Sequence, residues 1–334
     1  MKIVVFEIED WEKESFSPLV RQHDVVFVHE PLTPRNAGLY ADADIVSVFI
    51  YSDLSAGTLE KLTSLKMVAT RSTGFDHIDV RAASTRGAVV SNVPTYGEAT
   101  VAEHVFALLL TISHHMYDAV DRTRRGSFSQ NGLQGFDLAG KTIGIIGIGN
   151  IGQHTARIAK GFGMNILAYD VAPDAATAAA IGFSYAPLDD VLAKADILTL
   201  HIPGNAATHH LISSAAFAKM KDGAVLINTA RGSVVDVEAL VEALTTGKLK
   251  AAGLDVLPDE PAIKEEAELL RAIHHQKRDI KTLLMDHILL RMENVFITPH
   301  SAFNTREAIL RILTTTTRNI AAFAAGKPEN VVTQ

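Results

Sequence analysis

Three side chains suited to proton and anion chemistry follow apolar runs in the second half of the chain. They are Arg231 in Ile227-Asn-Thr-Ala-Arg-Gly232, Glu260 in Leu254-Asp-Val-Leu-Pro-Asp-Glu-Pro261, and His300 in Val295-Phe-Ile-Thr-Pro-His300. A guanidinium fork grips a carboxylate. An imidazole gives or takes a proton near neutral pH, and a carboxylate bonded to its other nitrogen fixes the tautomer and favours the charged ring. Taken singly, these residues read as a surface ion pair, a turn glutamate stiffened by Pro261 and a capping histidine. Together, each just past a strand, they form a set that can converge in the crevice at the carboxyl edge of an open α/β sheet.

A second pattern supplies a reason for such a crevice. The apolar run Thr142 to Ile146 leads into Gly147-Ile-Gly149-Asn-Ile-Gly152, then an amphipathic segment, a second apolar run from Asn165 to Tyr169, and Asp170. The first glycine permits a tight turn, the second lets backbone approach a pyrophosphate, and the third lets the next helix pack against the sheet. The pyrophosphate would sit on the free N–H groups at the helix's positive end. Asp170, 18 residues beyond Gly152, is placed to accept both hydroxyls of an adenosine ribose. It would repel a 2′-phosphate, and Val171 supplies no cation, so the spacing favours NAD over NADP.

These residues need a scaffold. Strands are expected at Lys2 to Phe6, Val25 to His29, Ile45 to Ile50, Met67 to Arg71 and Val89 to Asn92. Others are expected at 142 to 146, 165 to 169, 197 to 202, 224 to 228 and 251 to 255. Helical patterns separate them, among them Ser55 to Ser64, and Thr100-Val-Ala-Glu103 reads as a capping box opening a helix to about Arg124. Continuous apolar strands alternating with helices imply parallel sheets covered on both faces. A nucleotide-binding pattern that starts near residue 100 implies an insertion. Residues 1–100 and 301–334 would form one discontinuous domain and 101–300 the cofactor domain, with the ligand in the cleft between them.

Composition narrows the function classes. The 334 residues are 47% hydrophobic, enough for two packed cores. A net charge of -7 without long basic runs argues against nucleic acid as a partner. With no cysteine, thiolate chemistry, disulfides and zinc–thiolate sites are excluded. Lys2 to Phe6 is followed by Glu7, Glu9 and Asp10, which suits a buried strand rather than a signal peptide. No apolar run has the length of a membrane span, so a soluble cytoplasmic protein is expected.

The sequence resembles the D-2-hydroxyacid dehydrogenases, in the branch near the D-lactate enzymes. The resemblance rests on Arg71-Ser-Thr-Gly-Phe-Asp-His-Ile-Asp79, Asn92-Val-Pro-Thr-Tyr-Gly97, the Gly147 to Gly152 turn, His201-Ile-Pro203, Asn228-Thr-Ala-Arg-Gly232, Gly253-Leu-Asp-Val256, Glu260-Pro261 and Thr298-Pro-His-Ser-Ala-Phe303. It implies two Rossmann-like or flavodoxin-like parallel-sheet domains, the NAD-binding domain inserted into a discontinuous substrate domain, and a homodimer formed through the NAD domain. Arg231, Glu260 and His300 match catalytic positions. Asn150, Ile151, Asp170, His201, Ile202, Pro203, Thr208, Thr229, Ala230 and Asp255 match positions at the NAD site, Asp255 being expected to orient the nicotinamide amide. Thr73 and Gly74 match a loop that offers N–H groups to a substrate carboxylate, and Phe303 an aromatic pocket wall. Phe49 stands where the branch can carry a tyrosine, which favours substrates beyond lactate.

The implied reaction is reversible reduction of a 2-oxo acid to the D-2-hydroxy acid. Arg231 would hold the carboxylate, His300 would exchange the proton and Glu260 would hold the histidine. An NAD-responsive regulatory protein is disfavoured because all three chemical residue types are present. Phosphite and glyoxylate stay open as substrates, whereas formate oxidation makes no alkoxide that needs a proton. The pairs His114-His115, His209-His210 and His274-His275 are not expected to bind metal, since adjacent side chains diverge and no carboxylate pattern accompanies them. Ile263 to Arg291 is read as a packed helical excursion.

Overall fold

The computed structural model describes residues 1–258 and 280–332. Glu260 and the first part of the excursion that begins at Ile263 lie outside them. The chain folds into two compact units, Met1–Tyr96 with Asn304–Gln334, and Gly97–Phe303.

The first unit holds a five-stranded sheet of β1 (Lys2–Val5), β2 (Asp24–Phe27), β3 (Ile45–Val48), β4 (Met67–Thr70) and β5 (Val89–Ser91), in the order β2-β1-β3-β4-β5. Every pairing is parallel. The inner strands β1, β3 and β4 are buried on both faces, as their continuous apolar character requires. Val4, Val46, Val48, Val68 and Val90 face one core, while Ile3, Val5, Ile45, Met67 and Ala69 face the other with Leu313 and Ile320 of the helix Arg306–Ala324.

The second unit holds β6 (Thr142–Ile146), β7 (Asn165–Tyr169), β8 (Ser184–Tyr185), β9 (Ile197–Leu200), β10 (Ala224–Asn228), β11 (Leu249–Leu254) and β12 (Val295–Ile297). Their order is β12-β11-β10-β9-β6-β7-β8, again all parallel. This is the doubly wound dinucleotide-binding order with an added edge strand, and its switch point lies between β6 and β9. Alternation sends Ile143, Ile145, Ile197, Val225 and Ile227 to one core, with Leu108 and Leu109 of the helix Glu98–Ser113. It sends Ile146, Leu198, Leu200, Leu226 and Leu254 to the other.

Three local expectations are corrected. The expected helix Ser55 to Ser64 is a single turn, Ala56–Leu59, because i to i+3 bonds from Lys61, Leu62 and Leu65 wind the next residues into successive tight turns. The helix expected from Thr100 begins at Glu98, since the Gly97 carbonyl already accepts the Val101 N–H at 2.8 Å; Thr100 is buried inside its first turn rather than capping it. The same helix stops at Ser113, and a second runs Met116–Arg124. The break has a tertiary cause: Phe136 donates its N–H to the Ser113 carbonyl at 2.9 Å, and His115 turns left-handed at φ 49°.

A Cβ at Gly135 would lie 1.9 Å from that Ser113 carbonyl oxygen. Gly135→Ala is therefore expected to lower unfolding free energy by about 1–3 kcal/mol through overpacking. Urea denaturation of the parent and the variant measures it.

Candidate active site

The nucleotide turn is built on sterics and uncapped backbone. Gly147 leaves β6 at φ 93°, a conformation that L side chains rarely adopt, and a Cβ there would lie 2.5 Å from the His201 carbonyl across the switch point. A Cβ on Gly152 would come within 2.1 Å of the Gly147 carbonyl, so the helix Asn150–Gly161 can approach the turn only with glycine at this position. Gly149 caps that helix with no side-chain acceptor, and the space where its Cβ would sit is open. Asn150 and Ile151 form the first turn, whose N–H groups have no partner within the helix. Asp170, at the end of β7, receives the Ile148 N–H at 2.7 Å and the Ala172 N–H at 2.9 Å. A carboxylate has further lone pairs for ribose hydroxyls.

Beyond β9, His201 donates its backbone N–H to Ile146, and its ring nitrogen Nε2 lies 3.1 Å from Thr199 Oγ1. Desolvation pushes the His201 pKa down to about 3, so the ring is neutral at physiological pH. Ile202 reaches over Gly147. Thr208 closes a compact turn by donating its hydroxyl to the Pro203 carbonyl at 2.6 Å.

The chemically capable residues come from adjacent strand ends. Buried Asn228, the last residue of β10, accepts the Ala230 N–H at 3.0 Å and donates to the Arg231 carbonyl at 3.0 Å, pinning the turn that carries Thr229, Ala230 and Arg231. The Arg231 stem packs where a Cβ on Gly204 would be, 3.0 Å from its Cγ. Gly232 lies so close to the Leu257–Pro258 backbone that a Cβ would sit 2.2 Å from it. Asp255 follows β11, and its 1% exposed carboxylate takes the Thr298 hydroxyl at 2.5 Å and the N–H groups of Ser301 and Ala302, both at 2.9 Å. These bonds hold the segment after β12 in which half-buried His300 stands at φ 51°. Phe303 ends the unit just beyond it.

A separate group lies at the carboxyl edge of the first unit's sheet. Thr73 donates its hydroxyl to Val93 at 2.7 Å, Ser72 donates to the Gly74 carbonyl at 2.6 Å, and Asn92 donates to the Thr73 carbonyl at 2.8 Å, so the 72–74 loop has one shape. Phe49 is placed by Glu7, whose carboxylate accepts the Phe49 and Tyr51 N–H groups at 2.9 and 2.8 Å. Glu7 is in turn held by buried Arg71, whose Nη2 donates to the Phe6 and Glu7 carbonyls at 2.7 and 2.6 Å. Desolvation lowers the Arg71 pKa to about 10, which leaves it charged. Glu7, Arg71, Asn92 and Asn228 were not singled out for a role by sequence reasoning, because their tasks are bonds to backbone distant in sequence. The one available signal was a polar type at the end of an apolar run.

Residues 106–302 match the family model for the D-isomer specific 2-hydroxyacid dehydrogenase NAD binding domain. A 2-hydroxyacid dehydrogenase homolog of Haemophilus influenzae is 36% identical, with 99% of each chain covered. The chain belongs to the D-isomer specific 2-hydroxyacid dehydrogenases. It is also similar to the D-lactate dehydrogenase of Escherichia coli, at 34% identity over 98% of each chain. The solved D-lactate dehydrogenase of Aquifex aeolicus, complexed with NAD and lactic acid, superposes with a TM-score of 0.84 at 33% identity, over 97% of this chain and 96% of that one.

Like other 2-hydroxyacid dehydrogenases, the protein is an NAD-dependent oxidoreductase. Its own residues fit that cofactor. Besides the uncapped helix and the open space at Gly149, Thr229 carries a buried hydroxyl with no protein partner, as expected of a group whose partner is a ligand. Among the described residues no cluster of metal-ligating side chains occurs and no helix is long and apolar enough to cross a membrane.

Two outcomes are expected. Because the Asp170 carboxylate at the end of β7 would repel a 2′-phosphate, NADH should exceed NADPH in kcat/KM by about tenfold or more, and Asp170→Ala should narrow the ratio in steady-state assays. For His201, the folded pKa lies below the ordinary value near 6.5, so its contribution to stability is complete above pH 6.5 and is lost as pH falls toward 3. Chemical denaturation at pH 7 and pH 5 should show a smaller acid-induced loss in His201→Gln than in the parent.

Proposed function

We propose that this dehydrogenase reduces a 2-oxo acid to the D-2-hydroxy acid with NADH. The observation that carries the reading is the placement of Arg231 and His300 past β10 and β12, on turns locked by Asn228 and by Asp255 respectively. Bound NADH supplies a hydride to the carbonyl carbon. Arg231 grips the carboxylate and polarises the carbonyl. His300 then donates its proton to the oxygen as negative charge develops there, and takes it back in the oxidation direction. Glu260, outside the described residues, is assigned the role of partner to His300.

The residues Gly147, Gly149, Asn150, Ile151, Gly152, Asp170, His201, Ile202, Pro203, Thr208, Thr229, Ala230 and Asp255 are assigned to the cofactor site. The braced Thr73–Gly74 loop of the first unit is assigned to the substrate carboxylate through its N–H groups, and Phe49 and Phe303 are assigned as apolar walls. The name of the Escherichia coli relative supports pyruvate and D-lactate as one pair. A wall without a hydroxyl also accepts larger side chains, each buried methylene contributing up to about 0.8 kcal/mol.

The helix Met116–Arg124 buries no residue and exposes Met116, Tyr117 and Val120; a second copy of the chain covering this face would make a homodimer through the second unit. We assign the enzyme to the cytoplasm, in keeping with a reaction that draws on NADH.

His300→Ala should lower kcat by about two to four orders of magnitude with NADH affinity kept. Chiral chromatography of the parent's product should show the D acid. Turnover retained in His300→Ala would remove the proton-donor role, and an L product would overturn the arrangement of Arg231 and His300 around the carbonyl.

A further inference from the structure

Behind the His300 turn lies a histidine to which the reaction gives no task. His104, on the helix Glu98–Ser113, places Nε2 3.0 Å from Thr298 Oγ1 and 3.5 Å from Asp255 Oδ1. The direction of these bonds follows from counting protons. Asp255 accepts the Ser301 N–H and the Thr298 hydroxyl on Oδ1 and the Ala302 N–H on Oδ2. Thr298 therefore donates its single hydroxyl proton to Asp255, and its oxygen must accept one from His104 Nε2. Helix, strand end and turn are thus joined in the order His104 to Thr298 to Asp255, and Asp255 holds Ser301 and Ala302 on the far side of His300.

On the near side, the Thr298 carbonyl accepts the His300 N–H at 2.9 Å. His300 at φ 51° is in a backbone region that a non-glycine residue keeps only when its surroundings over-determine it. The bonds to Thr298, Ser301 and Ala302 do so, and His104 removes the remaining freedom, the rotation of the Thr298 hydroxyl.

We infer that His104 is a positioning residue for the reaction: protonated on Nε2, it orients Thr298 and Asp255 so that the His300 ring meets the substrate oxygen in line. The inference rests on the proposed role of His300. It differs from any direct contact of His104 with cofactor or substrate, because its effect passes entirely through the turn.

The test compares His104→Leu, His104→Gln and Thr298→Val, with NADH and pyruvate or the best 2-oxo acid. A displaced proton donor costs up to about a hundredfold. His104→Leu should lower kcat ten- to a hundredfold, raise the solvent deuterium isotope effect on kcat, and leave the NADH Kd within about twofold. His104→Gln, whose amide N–H can replace Nε2, should recover most of the loss. Thr298→Val should reproduce the loss, and the double variant with His104→Leu should be no worse than Thr298→Val alone. Should His104→Leu not fold, Thr298→Val and His104→Gln carry the comparison.

A kcat within twofold of the parent in His104→Leu, an unchanged isotope effect, or a glutamine variant as impaired as the leucine one would overturn the inference. If His300→Ala is inactive while His104→Leu is normal, only the positioning role falls. If His300→Ala stays active, the proposed function falls with it.

Discussion

Every strand in both sheets runs in the same direction as its neighbours, and most of what this protein can do follows from that constraint. Parallel strands must all end on one edge, and each must be reached by a crossover that covers a face of the sheet. The strands can therefore be apolar throughout, with polar residues collecting where they stop. In the second unit that edge carries Gly147, Asp170, His201, Arg231, Asp255 and His300; in the first it carries Glu7, Phe49 and the 71–74 loop. The reversal of strand order between β6 and β9 opens the edge at one place, and Gly147 passes His201 there at a distance that admits no side chain.

Strand ends alone do not give a turn a single shape. Buried polar side chains do, each by satisfying backbone groups that have no partner within the sheet. Asn228 closes the Arg231 turn, Asp255 gathers three donors from the His300 segment, and Glu7 with Arg71 fixes the backbone that carries Phe49. Such groups are costly to strand. A carboxylate or guanidinium left in the interior without its bonds loses far more than the pair contributes when intact. Removing one partner of such a group therefore costs stability. Charge is treated differently at two sites: Arg71 stays ionised despite desolvation because carbonyls and acids surround it, whereas His201, with a single threonine hydroxyl beside its ring nitrogen, stays neutral.

Local patterns carried the sheet strands well. The apolar runs at Lys2, Ile45, Met67, Thr142, Asn165 and Ala224 all lie in strands, since a strand buried on both faces needs a continuous apolar run and little else. Two-residue β8 has too few residues to leave a pattern. Helix ends are less legible where a partner remote in sequence decides them: nothing between Thr100 and Arg124 announces that Phe136 will take the Ser113 carbonyl.

The amino-acid sequence by itself determined the fold class, the family and the cofactor, because glycine spacing, strand periodicity and the acid after β7 act through backbone geometry within a few tens of residues. It also marked Arg231, Glu260 and His300 by type and by their place after apolar runs. Which residues brace the turns that carry them was decided, for Arg231 and His300, only by tertiary structure. Asp255 meets residues 298 to 302, His104 meets Thr298, and Glu7 meets Phe49 across long stretches of chain. A hydrogen bond needs its two atoms within about 3 Å of each other, and only the packed sheets and helices bring such distant residues that close.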